Sequence, residues 1–296
     1  MKALVFGSFN IDKLCFLEHL PEKGETLYCK ALETHVGGKG LNQAVSLFKA
    51  GTETYVAGYI GNDGKFMLDF LNETGVNTDF VHITDTLTGS TIIEVDPDGQ
   101  NQMILFGGAN QEIAKEYCDK ILEEFTAGDL VLMQYETAQV EYMIEQAHKK
   151  GLVIAVNPSP YVEKVKTLDY SKVDYLILNE TEGQSITDKT EIDDVIEELK
   201  KLCGKAVVMT LGGDGAVYAD KNKTVRVPAF KVEAVDTTGA GDTFTGYFLN
   251  AVFNGTDEKQ ALVTACAASA IAVKKSGAAE TIPDRKYVEE FLKVYL

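Results

Sequence analysis

A chain of 296 residues, 45% of them hydrophobic and 25% charged, can bury a large core, as one α/β domain or as a domain with an appendage. Its formal net charge of −17 argues against nucleic acid or an anionic membrane as partner, yet leaves room for a phosphate held by backbone donors and a metal. The five cysteines (Cys15, Cys29, Cys118, Cys203 and Cys266) are scattered and include no Cys-x-x-Cys pair. That pattern fits reduced thiols in the cytoplasm and neither a disulfide framework nor a zinc site. The apolar run Ala3 to Phe6 is too short for a secretory signal. Ala261 to Val273 is too short, and too rich in Ala, Ser and Thr, to span a bilayer.

Met1 to Phe6 reads as a buried strand ending in Gly7-Ser8-Phe9-Asn10-Ile11-Asp12. Asn10 and Asp12 then stand at a strand end, where ligands of α/β sheets sit, although both are also ordinary turn residues. Residues 13–36 carry strand-like pieces such as Thr26 to Cys29. Gly37-Gly38-Lys39-Gly40 opens a helix over Leu41 to Ala50 that Gly51 stops, with Lys39 and Asn42 near the Gly-rich turn. Thr54 to Ile60 reads as a strand and Asp63 to Glu73 as a helix. Thr88 to Val95 and Gln102 to Phe106 alternate in polarity around Asp96-Pro97-Asp98-Gly99, the pattern of a hairpin. Residues 13–36 and 88–106 are therefore expected to form a small antiparallel sheet outside the main one, a lid within a single domain of residues 1–296.

From Ile113 the chain alternates helix and strand. Helices are expected over Gln111 to Phe125, Ala138 to Lys150 and Asp193 to Leu202, and strands over Leu130 to Met133, Leu152 to Val156, Tyr175 to Leu178 and Ala206 to Leu211. Short apolar strands separated by helices imply a parallel sheet covered on both faces. Asn10, Asp12, Glu136, Asn157, Asn179, Glu182 and Thr210 all follow strand ends, which a parallel sheet gathers on one edge. Thr224 to Val227 and Phe230 to Val235 read as strands, Thr243 to Asn254 as a buried helix, Thr256 to Lys275 as a helix capped by Thr256, and Asp284 to Val294 as the last helix.

Between the last strand and the buried helix lies Asp236-Thr237-Thr238-Gly239-Ala240-Gly241-Asp242-Thr243-Phe244. Small residues at a helix start leave unpaired N–H groups at the positive end of the helix dipole, an anion site. Asp242 beside such a site suits a base that deprotonates a hydroxyl attacking a phosphate; the plain alternative is an N-capping Asp. No Gly-Lys pair is followed by Ser or Thr, so there is no P-loop. The four histidines lie in no His-Arg-Asp context, Asp-Phe-Gly is absent, and no Gly-rich turn has dinucleotide-binding spacing.

Taken together, Gly7 to Asp12, Gly37-Gly38-Lys39-Gly40-Leu41-Asn42-Gln43-Ala44, Met133 to Glu136, Asn157-Pro158, Asn179 to Glu182, Thr210-Leu211-Gly212 and Asp236 to Asp242 resemble, in order and spacing, the ribokinase (PfkB-type) family of carbohydrate kinases. The resemblance implies an α/β, three-layer fold with a mainly parallel central sheet and a small antiparallel β lid, dimerising through that lid. It implies ATP-dependent phosphorylation of the primary 5-hydroxyl of D-ribose, with Asp242 as base and the N–H groups of Gly239, Ala240, Gly241 and Asp242 as anion hole. Asn10, Asp12, Gly38, Lys39, Asn42 and Glu136 resemble the sugar contacts. Asn179 and Glu182 resemble residues near the nucleotide phosphates and Mg²⁺, and Thr210, Gly212, Gly215, Gly241 and Cys266 line the nucleotide side. Asp236, Thr238, Ala272, Lys275, Gly277 and Thr281 resemble a K⁺ site built largely of backbone carbonyls. Three positions depart from the family pattern: Tyr247 for Gly or Ala, Cys266 for His or Asn, and Thr91 for a small apolar residue over the sugar. Gln43 favours ribose over fructose. A kinase for another pentose, a ketose or a nucleoside stays open, as does a non-catalytic sugar sensor.

Overall fold

The computed structural model describes residues 2–295. Its centre is a run of short apolar strands: β1 (Ala3–Phe6), β4 (Thr54–Gly61), β8 (Leu130–Gln134), β9 (Val153–Asn157), β10 (Tyr175–Asn179) and β11 (Ala206–Thr210). With β5 (Asn77–Thr84), β12 (Ala216–Asp220) and β13 (Thr224–Val227) they make a nine-stranded sheet ordered β13-β12-β11-β10-β9-β8-β1-β4-β5. Pairing is parallel from β11 to β5 and antiparallel only at β11–β12–β13. Because successive side chains point to opposite faces, Ala3 and Val5 enter one core while Leu4 and Phe6 enter the other.

Helices close both faces. One core is covered by α1 (Lys39–Ala50), α2 (Lys65–Thr74), α7 (Ala240–Phe253), α8 (Glu258–Ala272) and α9 (Arg285–Tyr295), through Leu41, Met67, Phe248, Leu262 and Val288. The other is covered by α3 (Lys115–Leu122), α4 (Val140–Lys150), α5 (Glu180–Thr187) and α6 (Ile192–Leu202), through Cys118, Met143, Ile186 and Val195. The three layers are those expected. Among the described residues, no helix is long and apolar enough to cross a membrane.

The second sheet contains β2 (Asn10–Phe16), β3 (Ala31–Gly37), β6 (Gly89–Val95) and β7 (Asn101–Phe106), in the order β3-β2-β6-β7. Its outer pairs are antiparallel and its central pair, β2 with β6, is parallel. Both central strands leave the same edge of the main sheet, β2 after β1 and β6 after β5, so they run in the same direction.

Several local expectations change. Strands β5 and β12 are additional to those expected. The first is a half-exposed edge strand paired on one side, and the second is five residues that become a strand by pairing with β11 and β13. Thr26 to Cys29 and Phe230 to Val235 are not strands. The latter lines a cavity and joins neither sheet. Helix α3 begins at Lys115, after a 3₁₀ turn over Gly108–Gln111. The cap of α8 is Asp257 and not Thr256: its carboxylate accepts from the N–H groups of Lys259 and Gln260, both at 3.1 Å.

Tyr247 has a structural role. Its ring is buried against α1 and its hydroxyl donates to the Pro283 carbonyl at 2.6 Å, while Lys49 Nζ donates to the Ile282 carbonyl at 2.7 Å. These bonds pin the turn before α9 to the two helices below it. Tyr247→Phe leaves that buried carbonyl without its donor, and the expected loss is about 1–2 kcal/mol, read as a lower urea midpoint at unchanged m-value.

Candidate active site

The carboxyl edge of the parallel sheet collects the polar residues expected there. Gly38, at φ +93°, precedes α1, and a Cβ at this position would meet the Ser8 carbonyl at 2.7 Å and the Asn10 nitrogen at 2.8 Å. Only glycine lets the start of α1 come this close to the segment after β1. That approach sets Lys39 and Asn42 beside the strand ends. On the other side of the cleft, Gly239 at φ +73° turns the chain into α7 without any side-chain cap. Asp242 therefore does not cap the helix. It is buried, and its Oδ2 accepts from Asn42 Nδ2 at 3.0 Å and its Oδ1 from Gln43 Nε2 at 2.8 Å.

Lys39 carries the positive charge of this edge. Burial acts to lower its pKa, but the carboxylates of Asp242, Glu136 and Glu182 outweigh that and hold it above the usual lysine value. Glu136 is pushed upward by burial and drawn back by Lys39. Its Oε2 accepts from the Ser8 hydroxyl and from the Lys39 N–H at 3.1 Å. Asn10 is oriented by a residue that strand-end reasoning does not find. Asn110 Nδ2 donates to Asn10 Oδ1 at 2.9 Å while Asn110 Oδ1 accepts the Phe9 N–H at 3.0 Å, which leaves the Asn10 amide nitrogen for a ligand.

Asp12 lies on the lid, in register with Thr91 of β6 and His35 of β3. Burial raises its carboxyl pKa to about 7. The Thr91 hydroxyl and His35 offset part of the rise, and the nearby Glu136 and Glu280 add to it. The Thr91 departure thus faces the cleft and acts on Asp12. Two acceptors here, Asp12 Oδ1 and Asn42 Oδ1, are buried without a hydrogen-bond partner among the described residues. Such oxygens are rare in folded proteins and call for a donor from a ligand. Hydroxyl groups are the donors that fit.

Two cavities adjoin Asp242. A polar one of about 250 Å³ is bordered by Lys39, Asn157, Asn179, Glu182, Gly239 and Asp242. Asn179 and Glu182 also form a capping box at the start of α5: Asn179 Oδ1 accepts the Glu182 N–H at 2.9 Å, and Glu182 Oε2 accepts the Asn179 N–H at 3.0 Å. The box uses one oxygen of each residue, leaving the Asn179 amide nitrogen and the second Glu182 oxygen for a ligand. An apolar cavity of about 460 Å³ is lined by Thr210, Gly212, Gly215, Phe230, Val232 and Cys266, among others. Phe230 and Val232 belong to the segment that does not become a strand, and they form a wall of this cavity. The two spaces share Thr210, Thr237 and Gly241, and nothing lies within 4 Å of a Cβ built on Gly241. Burial pushes the Cys266 thiol up to about 12, so it borders the apolar cavity as a neutral group.

The expected cation-site residues fall in two segments that pack together. Asp236 accepts from the N–H groups of Thr238 at 2.9 Å and Gly277 at 3.0 Å and from the Ser276 hydroxyl at 3.3 Å. Burial works against its charge, and these donors hold its carboxyl below the usual range. The Val273 carbonyl accepts the Val235 N–H, while Thr281 Oγ1 donates to the Ala278 carbonyl. Ala272 is buried and Lys275 exposed, so Lys275 brings its backbone and not its ammonium to this loop pair. Among the described residues, no three His, Cys, Asp or Glu side chains cluster as a metal site.

The model of the family described as "pfkB family carbohydrate kinase" matches residues 1–285. The ribokinase of Bacillus subtilis is 34% identical over 294 residues, covering 97% of this chain and 98% of that protein. The crystal structure of a Thermotoga maritima ribokinase superposes with a TM-score of 0.90 at 32% identity, covering 99% of both chains. An Arabidopsis thaliana ribokinase complexed with ribose and ATP gives a TM-score of 0.87 at 31% identity, over 99% of this chain and 98% of that one. A family match across nearly the whole length joins the Gly-rich approach at Gly38, the buried Asp242 and the paired cavities in one assignment: the chain belongs to the pfkB family of carbohydrate kinases.

Proposed function

We propose that the chain is an ATP-dependent ribokinase, phosphorylating the primary 5-hydroxyl of D-ribose. The observation that carries the reading is the pair of buried, donor-less oxygens on Asp12 and Asn42, joined to Asp242 through Glu136, Lys39 and Asn42 itself. A sugar supplies hydroxyl donors to these oxygens and acceptors to the Asn10 amide and Lys39. Ribose is the sugar on which the similar Arabidopsis protein was captured.

In this reading the 5-hydroxyl lies against Asp242, and the γ-phosphoryl of ATP lies at the start of α7. Asp242 takes the hydroxyl proton as the oxygen attacks phosphorus. The bond to the β,γ-bridging oxygen breaks and its electron pair leaves with ADP. The N–H groups of the first turn of α7 meet the negative charge, those of Gly239, Gly241 and Asp242 free of backbone acceptors and that of Ala240 also donating to the Thr237 carbonyl at 3.2 Å, and Lys39 adds a full positive charge. The adenine lies in the apolar cavity beside Gly212, Gly215 and Cys266. The free oxygen of Glu182 would hold a nucleotide-bound Mg²⁺, which would supply neutralisation of phosphate charge. Carbonyls of the segments containing Asp236, Thr238, Ala272, Lys275, Gly277 and Thr281 would hold K⁺, which would steady the loop that feeds α7. The five thiols, with no disulfide, fit a cytoplasmic enzyme. The whole chain acts as one catalytic unit with its lid.

The decisive measurement is ADP release with ribose, 2-deoxyribose, fructose and adenosine, each in K⁺ and in Na⁺. Turnover restricted to ribose and raised by K⁺ is expected. Preference for another member of the panel moves the assignment to that sugar and points to Thr91, and no turnover with any of them sinks the kinase reading. In the same assay Asp242→Asn is expected to cut kcat by about 10³-fold or more while ribose affinity stays within about threefold.

Asp12 gives the sugar site a pH dependence. With a carboxyl pKa of about 7, it is ionised and accepts hydroxyl donors above that pH, and it loses acceptor capacity below it. Ribose affinity by calorimetry, without nucleotide, is expected to weaken several-fold, up to about tenfold, from pH 8 to pH 6. In Asp12→Asn the profile becomes flat. A flat profile in the unmodified protein overturns this role.

The lid also makes the contact of a homodimer. Its edge strand β7 exposes Met103, Ile104, Leu105 and Phe106, about half of each side chain's surface, so both its faces and its free edge are apolar or unpaired. Sedimentation equilibrium is expected to give a dimer, and Ile104→Lys with Leu105→Glu a monomer. A monomer before substitution refutes the contact.

A further inference from the structure

Below the cleft runs a chain of buried amides that touches no ligand space at its centre. Gln134 Nε2 donates to Gln43 Oε1 at 2.6 Å. Gln43 Nε2 donates to Asn157 Oδ1 at 3.0 Å and to Asp242 Oδ1 at 2.8 Å. Asn157 Nδ2 donates to the Ile177 carbonyl at 2.9 Å. Gln43 and Gln134 have no solvent exposure, and Gln43 borders neither cavity.

The direction of every bond follows from one fixed point. The Ile177 carbonyl can only accept, so Asn157 must turn its NH₂ toward β10 and its oxygen toward Gln43. Gln43 must then present its NH₂ to that oxygen, and the second hydrogen of the same nitrogen falls on Asp242. A reversed Gln43 would set its oxygen against both the Asn157 oxygen and the Asp242 carboxylate, two buried repulsions with no compensation. The amide nitrogen of Gln134 donates to Gln43 Oε1, while Gln134 Oε1 is buried without a partner among the described residues. All four groups hang from rigid elements, β8, β9, α1 and α7.

The consequence for Asp242 is a division between its oxygens. Oδ1 is tied to the amide chain, while Oδ2 is tied to Asn42, whose own Oδ1 is buried without a partner among the described residues. We infer that Gln43 is a positioning residue for the reaction: relayed from Ile177 through Asn157, it locks one oxygen of Asp242 so that the other, Oδ2, meets the sugar hydroxyl. Each oxygen accepts one amide hydrogen, and Oδ2 is the one on the side of Asn42, whose own Oδ1 has no partner; in this assignment the proton of the sugar hydroxyl passes to Oδ2. The inference rests on the kinase reading above and assigns the base's geometry to a residue, Gln43, that borders neither cavity.

Kinetics of Gln43→Met, a change of nearly equal volume that removes the donor, tests it. If the unmodified protein releases ADP with no sugar of the panel, the kinase reading fails and this inference with it. Given wild-type turnover, Gln43→Met is expected to lower kcat about 30-fold or more and hold the sugar KM within about threefold. In an Asp242→Asn background the same change is expected to alter residual turnover less than about twofold, because a group acting through that carboxylate has nothing left to orient. A kcat within about threefold of wild type, or an undiminished loss in the Asp242→Asn background, overturns the inference and leaves the kinase reading standing. Asn157→Leu, which keeps Gln43 but removes the oxygen that orients it, provides the same comparison should Gln43→Met fail to fold. There the expected fall in kcat is about tenfold, again absent with Asp242→Asn, and an unchanged kcat again overturns the inference.

Discussion

A carboxylate buried at the start of α7 is the constraint on which the molecule turns. Taking Asp242 out of water is costly unless donors replace the lost hydration. Helix α1 provides them: Asn42 and Gln43 each donate one hydrogen bond to it. Those bonds need α1 and α7 to cross closely, and the Ser46 hydroxyl bonding to the Thr243 carbonyl at 2.8 Å marks that contact. The start of α1 must in turn lie against the segment after β1, which Gly38 permits. One buried charge therefore ties the first strand, the first helix and the seventh helix into a single geometry.

The same edge shows how an acidic protein handles an anionic substrate. The net charge of −17 gives an unfavourable field, and no basic patch is needed to correct it. Lys39 interacts with Asp242, Glu136 and Glu182 and stays charged despite burial. Backbone N–H groups of the first turn of α7 complete the local positive region. The apolar cavity beyond it asks only for shape, which glycines at 212 and 215, the neutral Cys266 and the Phe230 segment provide.

The lid extends this logic to the sugar. Strands β2 and β6 rise from the same edge as the candidate site, so the topology that gathers Asn10 and Glu136 there also brings Asp12 and Thr91 to it. Burying a carboxylate on a thin four-stranded sheet raises its pKa into the neutral range, a cost that hydroxyl donors relieve.

The sequence alone determined the layers, most strands and the location of the site. Continuous apolar runs such as Leu130 to Met133 can satisfy both faces only inside a covered parallel sheet, and such a sheet puts Asn10, Glu136, Asn157 and Asn179 on one edge. The Gly-rich turns at Gly38 and Gly239 were legible because their backbone geometry excludes other residues. The rest depended on partners far away in the chain. Strands β5 and β12 exist because neighbours offer ladders, while Phe230 to Val235 stays irregular and lines the apolar cavity. Asn110 and Gln134 carry no local signal: each acts on residues about 100 positions away, Asn110 on Asn10 and Gln134 on Gln43. The orientation of Gln43 toward Asp242 is decided by a carbonyl on β10. Hydrogen-bond direction is a property of a closed network, and only the tertiary structure closes it.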